Sequence, residues 1–263
     1  MASSDCLSAN EGLEQLIPPW RWHQDPPKGI CDAMCGRYSL AKPPMRLRVG
    51  AEVVPLVIER PRYNVAPMQL APVVRYRDGQ LVTEELRWGL IPSWAKDAKF
   101  AAQCINARSE TVADKPAFRS AFKSRRCLVP ADGFYEWAAV AKQKLPWRFV
   151  RTDGEPFLLA GLWECWEPKE HPAVREETFT ILTTVPNDVT RPVHDRMPVI
   201  LDAEAALRWL APEATRETLS ALCVPCPSDT LRRFRVSTVV NSARNDLLEC
   251  VAPLPEQIGF TGI

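Results

Sequence analysis

Proline limits what this chain can fold into more than any other residue. Its 25 prolines are scattered over 263 positions, and each removes a backbone donor and breaks an interior helix. A bundle of long helices is thereby excluded. Nine tryptophans and many short apolar runs point instead to strands joined by ordered loops. The segments 70–76 and 81–88 flank Asp78-Gly79 and read as a hairpin. Further strands are expected over 126–130, 134–137, 147–151, 157–163, 179–184 and 235–240. Pro116 opens a short helix over 116–124, Asp202 caps a helix over 203–210, and a second helix spans 212–222. With no repeat and no low-complexity linker, residues 34–263 read as one strand-dominated α+β domain.

Residues 1–33 differ from the rest. They are polar, interrupted by proline and follow no period of 2 or 3.6. The expectation is an N-terminal extension that is disordered, removed, or the product of a start site ahead of the true one; the alternative is an arm docked through Trp20 and Trp22. Residues 1–34 carry five acids against two bases, a balance of −3, which leaves +4 for 35–263. That mild excess allows a local basic cleft without demanding one. No apolar stretch approaches the roughly 20 residues that cross a bilayer, and the acidic N-terminus does not resemble a signal peptide. The expected address is cytoplasmic and nucleoid-associated. In a reducing compartment, nine cysteines argue for free thiols over a disulfide framework.

Four segments are polar where a plain fold would have no use for it: Met34-Cys35-Gly36-Arg37-Tyr38, Cys104-Ile105-Asn106-Ala107-Arg108-Ser109-Glu110, the run 127–137 that ends Phe134-Tyr135-Glu136-Trp137, and Val193-His194-Asp195-Arg196-Met197-Pro198. Tyr63-Asn64-Val65-Ala66-Pro67, Trp88-Gly89-Leu90-Ile91-Pro92-Ser93-Trp94 and Val240-Asn241-Ser242-Ala243-Arg244-Asn245 join them. In this order and spacing, over nearly all of residues 34–255, the chain resembles the SRAP family, the SOS response-associated peptidases.

The resemblance implies a curved, barrel-like antiparallel sheet core with flanking short helices. It also implies a chemistry: the residues before Cys35 are removed, and Cys35 then forms a thiazolidine with the ring-opened aldehyde of an abasic site in single-stranded DNA. Asn106, Glu136 and His194 would be the other active-site residues. Arg37, Arg108 and Arg196 would hold phosphates, Asn64 would belong to the DNA-binding surface, and Trp94 would offer a stacking platform. Trp88 is a platform or a core residue. Some relatives carry a second tryptophan after Trp94; here position 95 is alanine. No metal or organic cofactor is implied, and the expected partner is abasic single-stranded DNA alone, bound by a monomer with no identifiable protein partner.

Elementary chemistry explains the residue types. A thiazolidine takes one aldehyde carbon plus the amine and thiol of a single residue, which only an N-terminal cysteine provides. A free α-amine has a pKa of roughly 7.7–8.0, so a neutral fraction is available near neutrality. Water must leave the carbinolamine, and His194 is a natural proton donor. Glu136 stands between Tyr135 and Trp137, an apolar setting that favours a protonated carboxyl. Alternatives remain open. Cys35 could be the nucleophile of a cysteine-type peptidase or autopeptidase with His194 as base, or the cleft could read single strands without covalent chemistry. Asn106 could cap a helix over 107–110, and Arg196 could pair with Asp195 or Glu136. Cys31, Cys35, Cys223 and Cys226 could form a zinc set, but that would consume the nucleophile.

Overall fold

The computed structural model describes residues 36–42, 45–56, 58, 60–141, 143–168 and 175–255; Cys35 and the 1–33 extension lie outside them. The strands, in chain order, are β1 (Arg37–Leu40), β2 (Met45–Val49), β3 (Glu52–Leu56), β4 (Arg62–Val65), β5 (Leu70–Arg77), β6 (Gln80–Trp88), β7 (Asn106–Arg108) and β8 (Arg126–Ala131). They continue with β9 (Gly133–Val140), β10 (Gln143–Arg151), β11 (Phe157–Trp166), β12 (Glu176–Thr184), β13 (Met197–Pro198), β14 (Ile200–Leu201) and β15 (Leu231–Arg235). Helices α1 (Arg119–Ser124), α2 (Ala203–Leu210) and α3 (Arg216–Leu222) are short. None of the described helices is long and apolar enough to cross a membrane.

The β5–β6 hairpin turns where expected. Asp78 and Gly79 both take positive φ, 52° and 80°, as a two-residue turn matching strand twist requires. The hairpin is part of a closed ring. β12 pairs with β6 on one side and β11 on the other, completing the circuit β12-β6-β5-β8-β11. The expected barrel is present, antiparallel except for the β12–β6 seam, which is parallel. Beyond that seam β12 changes neighbours: Ile181–Thr183 run parallel to β7, and Thr183 and Thr184 pair with β13.

A second sheet, ordered β15-β10-β9-β1-β4, packs against the barrel. Strand alternation divides its side chains. Tyr38 and Phe134 face the barrel: Tyr38 lies 5.2 Å from the Trp88 ring, and Phe134 lies 4.8 Å from Phe149 and 5.9 Å from Phe157 of β11. Such aromatic pairs add roughly 0.5–1.5 kcal/mol each to plain burial. The corner between β8 and β9 is fixed by buried Asp132. It accepts from Ser39 Oγ (2.6 Å), the Ala41 and Lys42 amides and Arg148 Nη2 (2.9 Å). Arg148 crosses Gly133 so closely that a Cβ there would meet its Nε at 2.7 Å, so a larger residue would push the guanidinium from its place on Asp132.

α2 occupies the expected span, with the Asp202 carboxylate accepting from the Ala205 amide at 2.8 Å. Other boundaries need correction. α3 starts at Arg216, later than the expected 212, because the Thr215 side chain supplies the cap by accepting from the Thr218 amide. The strand expected over 235–240 is absent: β15 ends at Arg235, and Thr238–Asn241 form a 3-10 turn capped by the Ser237 hydroxyl, which accepts from the Val239 amide. β-Branched Val239 and Val240 suggested a strand, but the side chain of Ser237 captures the backbone first.

Candidate functional site

The residues that the sequence singled out fall on three parts of this fold. The first is the barrel-facing side of the second sheet. Arg37 opposes Tyr135, so the register carried one step further sets Gly36, the first described residue, against Glu136. Glu136 is only 2% exposed, although β9 places it near the end of the paired region of β1. Trp147 of β10 is directly opposite Glu136, and Arg235 of β15 is directly opposite Trp147. Directly opposed residues share a face, so Glu136, Trp147 and Arg235 form one row across three strands.

The second part is the rim of the barrel around β12. The Trp88 indole N–H donates to the Ile105 carbonyl at 2.8 Å, tying the start of β7 to the ring that Tyr38 packs on. Trp88 is fully buried, which settles it as a core residue. Asn106, immediately after, begins a strand and does not cap a helix; residues 107–108 continue β7, because pairing with Ile181–Thr183 outcompetes the helical turn. Its Nδ2 donates weakly to the Ile181 carbonyl at 3.4 Å, and its buried Oδ1 has no partner among the described residues. An unmet buried acceptor of this kind costs about 1–3 kcal/mol and is a ready receiver for a hydroxyl or amine. Arg108 is exposed.

Across β12, the loop 185–196 brings in His194. Asn187 organises this loop by accepting the Thr190 amide at 3.0 Å, and the His194 amide then donates to the Thr190 carbonyl at 3.0 Å. The His194 ring is partly open, and its Nδ1 lies 3.1 Å from both the Arg196 amide and Asp195 Oδ1. These contacts suit different protonation states. A neutral ring accepts the Arg196 N–H at Nδ1 and carries its proton on Nε2, whereas a protonated ring donates from Nδ1 to Asp195. Arg196 pairs with neither Asp195 nor Glu136. It grips Glu110 with both nitrogens (2.5 and 2.9 Å) and donates to the Thr183 carbonyl at 2.7 Å. That fork holds Glu110 below the usual carboxylate range, and it ties the loop to β12 and to the turn after β7.

The third part is the opposite side of the second sheet, where Arg37 resides. Its Nη1 donates to Asn64 Oδ1 and to the Val240 carbonyl, both at 2.9 Å, and its guanidinium lies 5.9 Å from the Trp137 ring. Asn64 is 1% exposed, and its Nδ2 reaches the carbonyls of Val240, Ser242 and Asn245. The motif at 240–245 is thus a clamp for these two side chains. Sequence reasoning quoted that motif without finding this use, since the partners are over 170 residues apart. Trp94 stands apart, 56% exposed on the loop after β6, its ring edge-on to Phe100 at 5.3 Å beside Lys96 and Lys99.

Cys223 and Cys226 are buried, and burial pushes their thiols up to about 12 and about 11. Among the described residues no group of three or more His, Cys, Asp or Glu could hold a metal. What the site offers is a partly open imidazole at His194, a buried carboxyl group at Glu136, an open acceptor at Asn106 and an exposed cation at Arg108.

The chain is similar to a known family and to proteins named for abasic-site processing. A family model described as SOS response associated peptidase matches residues 34–243. The abasic site processing protein YoaM of Bacillus subtilis is 42% identical over 192 residues, 72% of this chain and 84% of that one. YoqW of the same organism, also called an abasic site processing protein, is 39% identical over 224 residues, 83% of this chain and 99% of its own. A crystal structure of a protein from Bacteroides thetaiotaomicron superposes with a TM-score of 0.67 at 28% identity, covering 73% of this chain and 86% of that one.

Proposed function

Because the chain belongs to the SOS response-associated peptidase family, we propose that it processes abasic sites in DNA, trapping them covalently in single strands through Cys35. The observation that carries this reading is Glu136, a carboxylate buried beside the head of β1. Gly36, set against it by the β1–β9 register, directly follows Cys35 in the sequence.

Once the preceding residues are removed, the Cys35 α-amine adds to the aldehyde of the ring-opened sugar to give a carbinolamine. Water leaves with a proton supplied by His194 through Nε2, and a Schiff base remains. The Cys35 thiol then adds to the C=N carbon and its proton passes to nitrogen, closing a thiazolidine with net loss of one water. Glu136 exchanges protons with the amine and sugar oxygen, and general acid–base groups of this kind contribute roughly 10²–10⁴-fold. Asn106 Oδ1 receives a hydroxyl or amine hydrogen. Arg108 meets a phosphate directly, and Trp94 stacks a base, worth about 1–3 kcal/mol. For Arg37, Asn64 and Arg196 we propose positioning roles, since their donors already have protein acceptors.

The test uses protein beginning at Cys35, incubated with single-stranded DNA bearing an abasic site. The expected product is a heat-stable adduct whose mass is protein plus DNA less one water, absent with undamaged DNA and with Cys35→Ala. Failure of the parent protein to form it defeats the proposal.

A further inference from the structure

On the same face as Glu136 there is a cluster that none of the motifs predicted. Trp147 holds two guanidinium groups over its ring, Arg233 at 5.3 Å and Arg235 at 5.6 Å from the centroid. Both arginines come from edge strand β15, which has β10 on one side only. Arg235 is directly across from Trp147 and Arg233 directly across from Phe149. Trp147, Arg233 and Arg235 are partly exposed, whereas Phe149 is buried. Arg233 donates to the Val189 carbonyl in the loop that carries His194, and Arg235 Nε is buried with no partner among the described residues. Neither arginine has a carboxylate within ion-pair distance among the described residues, unlike Arg75, Arg87, Arg125, Arg148 and Arg196. Two like charges gathered on one indole with no counter-ion repel each other, and an anion between them relieves that repulsion. Contact with the ring restrains both side chains beforehand, which lowers the ordering cost of engaging an anion.

We propose that Arg233 and Arg235, braced on Trp147, form a phosphate clamp for the backbone of a single strand along the Glu136 wall. The clamp rests on the reading of the site as a single-strand DNA site. It supplies the strand contact on the sheet side, while Arg108 supplies one on the rim side. Its sequence trace is the alternation Arg233-Phe234-Arg235, which sends two cations to one face of a strand.

The experiment measures reversible binding of an oligonucleotide carrying a tetrahydrofuran abasic analogue, which has no aldehyde, so binding is read apart from covalent capture. For single strands the slope of log affinity against log salt changes by about 0.7 per phosphate contact. Arg233→Ala with Arg235→Ala is expected to flatten the slope by about 1.4. The matched pair of lysine substitutions is expected to restore most of it, because a structural tether to Val189 would not be rescued by charge. Arg232 is one residue away on the opposite face and exposed, so Arg232→Ala is expected to leave the slope in place. An unchanged slope in the double alanine variant, an equal loss in Arg232→Ala, no rescue by lysine, or no binding by the parent protein each overturns the clamp. Adduct formation with an unchanged slope overturns the clamp alone and leaves the covalent reading standing.

Discussion

The two faces of the five-stranded sheet use arginine in opposite ways. On the back, Arg37 and Arg148 are buried against Asn64, Val240, Ser39 and Asp132. On the barrel-facing side, Arg233 and Arg235 rest on Trp147 with no carboxylate within ion-pair distance among the described residues. One step along a strand separates the two environments, since successive side chains point to opposite faces. Net charge cannot distinguish them. The back face uses guanidinium to hold distant segments together, and the front leaves it available to an anion.

The largest effect expected from breaking this contrast is at the front. Glu136→Gln is expected to slow adduct formation by about 100-fold or more while single-strand affinity stays near that of the parent, as read by time courses at saturating DNA. Loss of affinity with an unchanged rate would make Glu136 a binding residue instead. Next comes the back. Arg37→Ala takes the donor from Asn64 Oδ1 and the Asn241 carbonyl and one of two donors from the Val240 carbonyl and is expected to cost roughly 3 kcal/mol in urea unfolding, with little recovery in Arg37→Lys because a point charge does not reproduce the fork. A stability loss under about 1 kcal/mol would return Arg37 to the list of direct phosphate ligands.

Smaller effects sharpen the picture. Arg108→Ala is expected to flatten the salt slope by about 0.7 and to alter stability by no more than about 0.5 kcal/mol. Glu110 is depressed from 4.5 by its bonds from Arg196. Its contribution to stability is therefore complete above 4.5 and lost as pH falls through the depressed value. Glu110→Gln is expected to remove that acid-limb dependence, by less than about 1 kcal/mol because the carboxylate is nearly half exposed.

Local chemistry made some features legible in the sequence, and long-range pairing hid the others. Asp78-Gly79 and Asp202 carry their structure in a few neighbouring atoms, so the hairpin and α2 could be read directly. β15 could not, because Leu231–Arg235 is rich in arginine and becomes a strand only through its pairing with β10. The same holds for the site. His194, Asn106 and Glu136 sit in motifs recognisable in one dimension. The partner of Arg196 is 86 residues away and that of Arg37 up to 204, and no local pattern encodes either. Burial of Glu136 also arises from three strands meeting, although Tyr135 and Trp137 beside it hinted at an apolar setting.

The central claim is that capture requires the amine and thiol of Cys35 together. The most direct measurement compares two preparations with the same abasic single strand: protein beginning at Cys35, and protein retaining residues 1–34. The account predicts a heat-stable adduct, lighter than the sum of its parts by one water, from the first and none from the second when its mass shows the extension intact. Equal crosslinking by both would contradict the thiazolidine and with it the proposed role of Cys35.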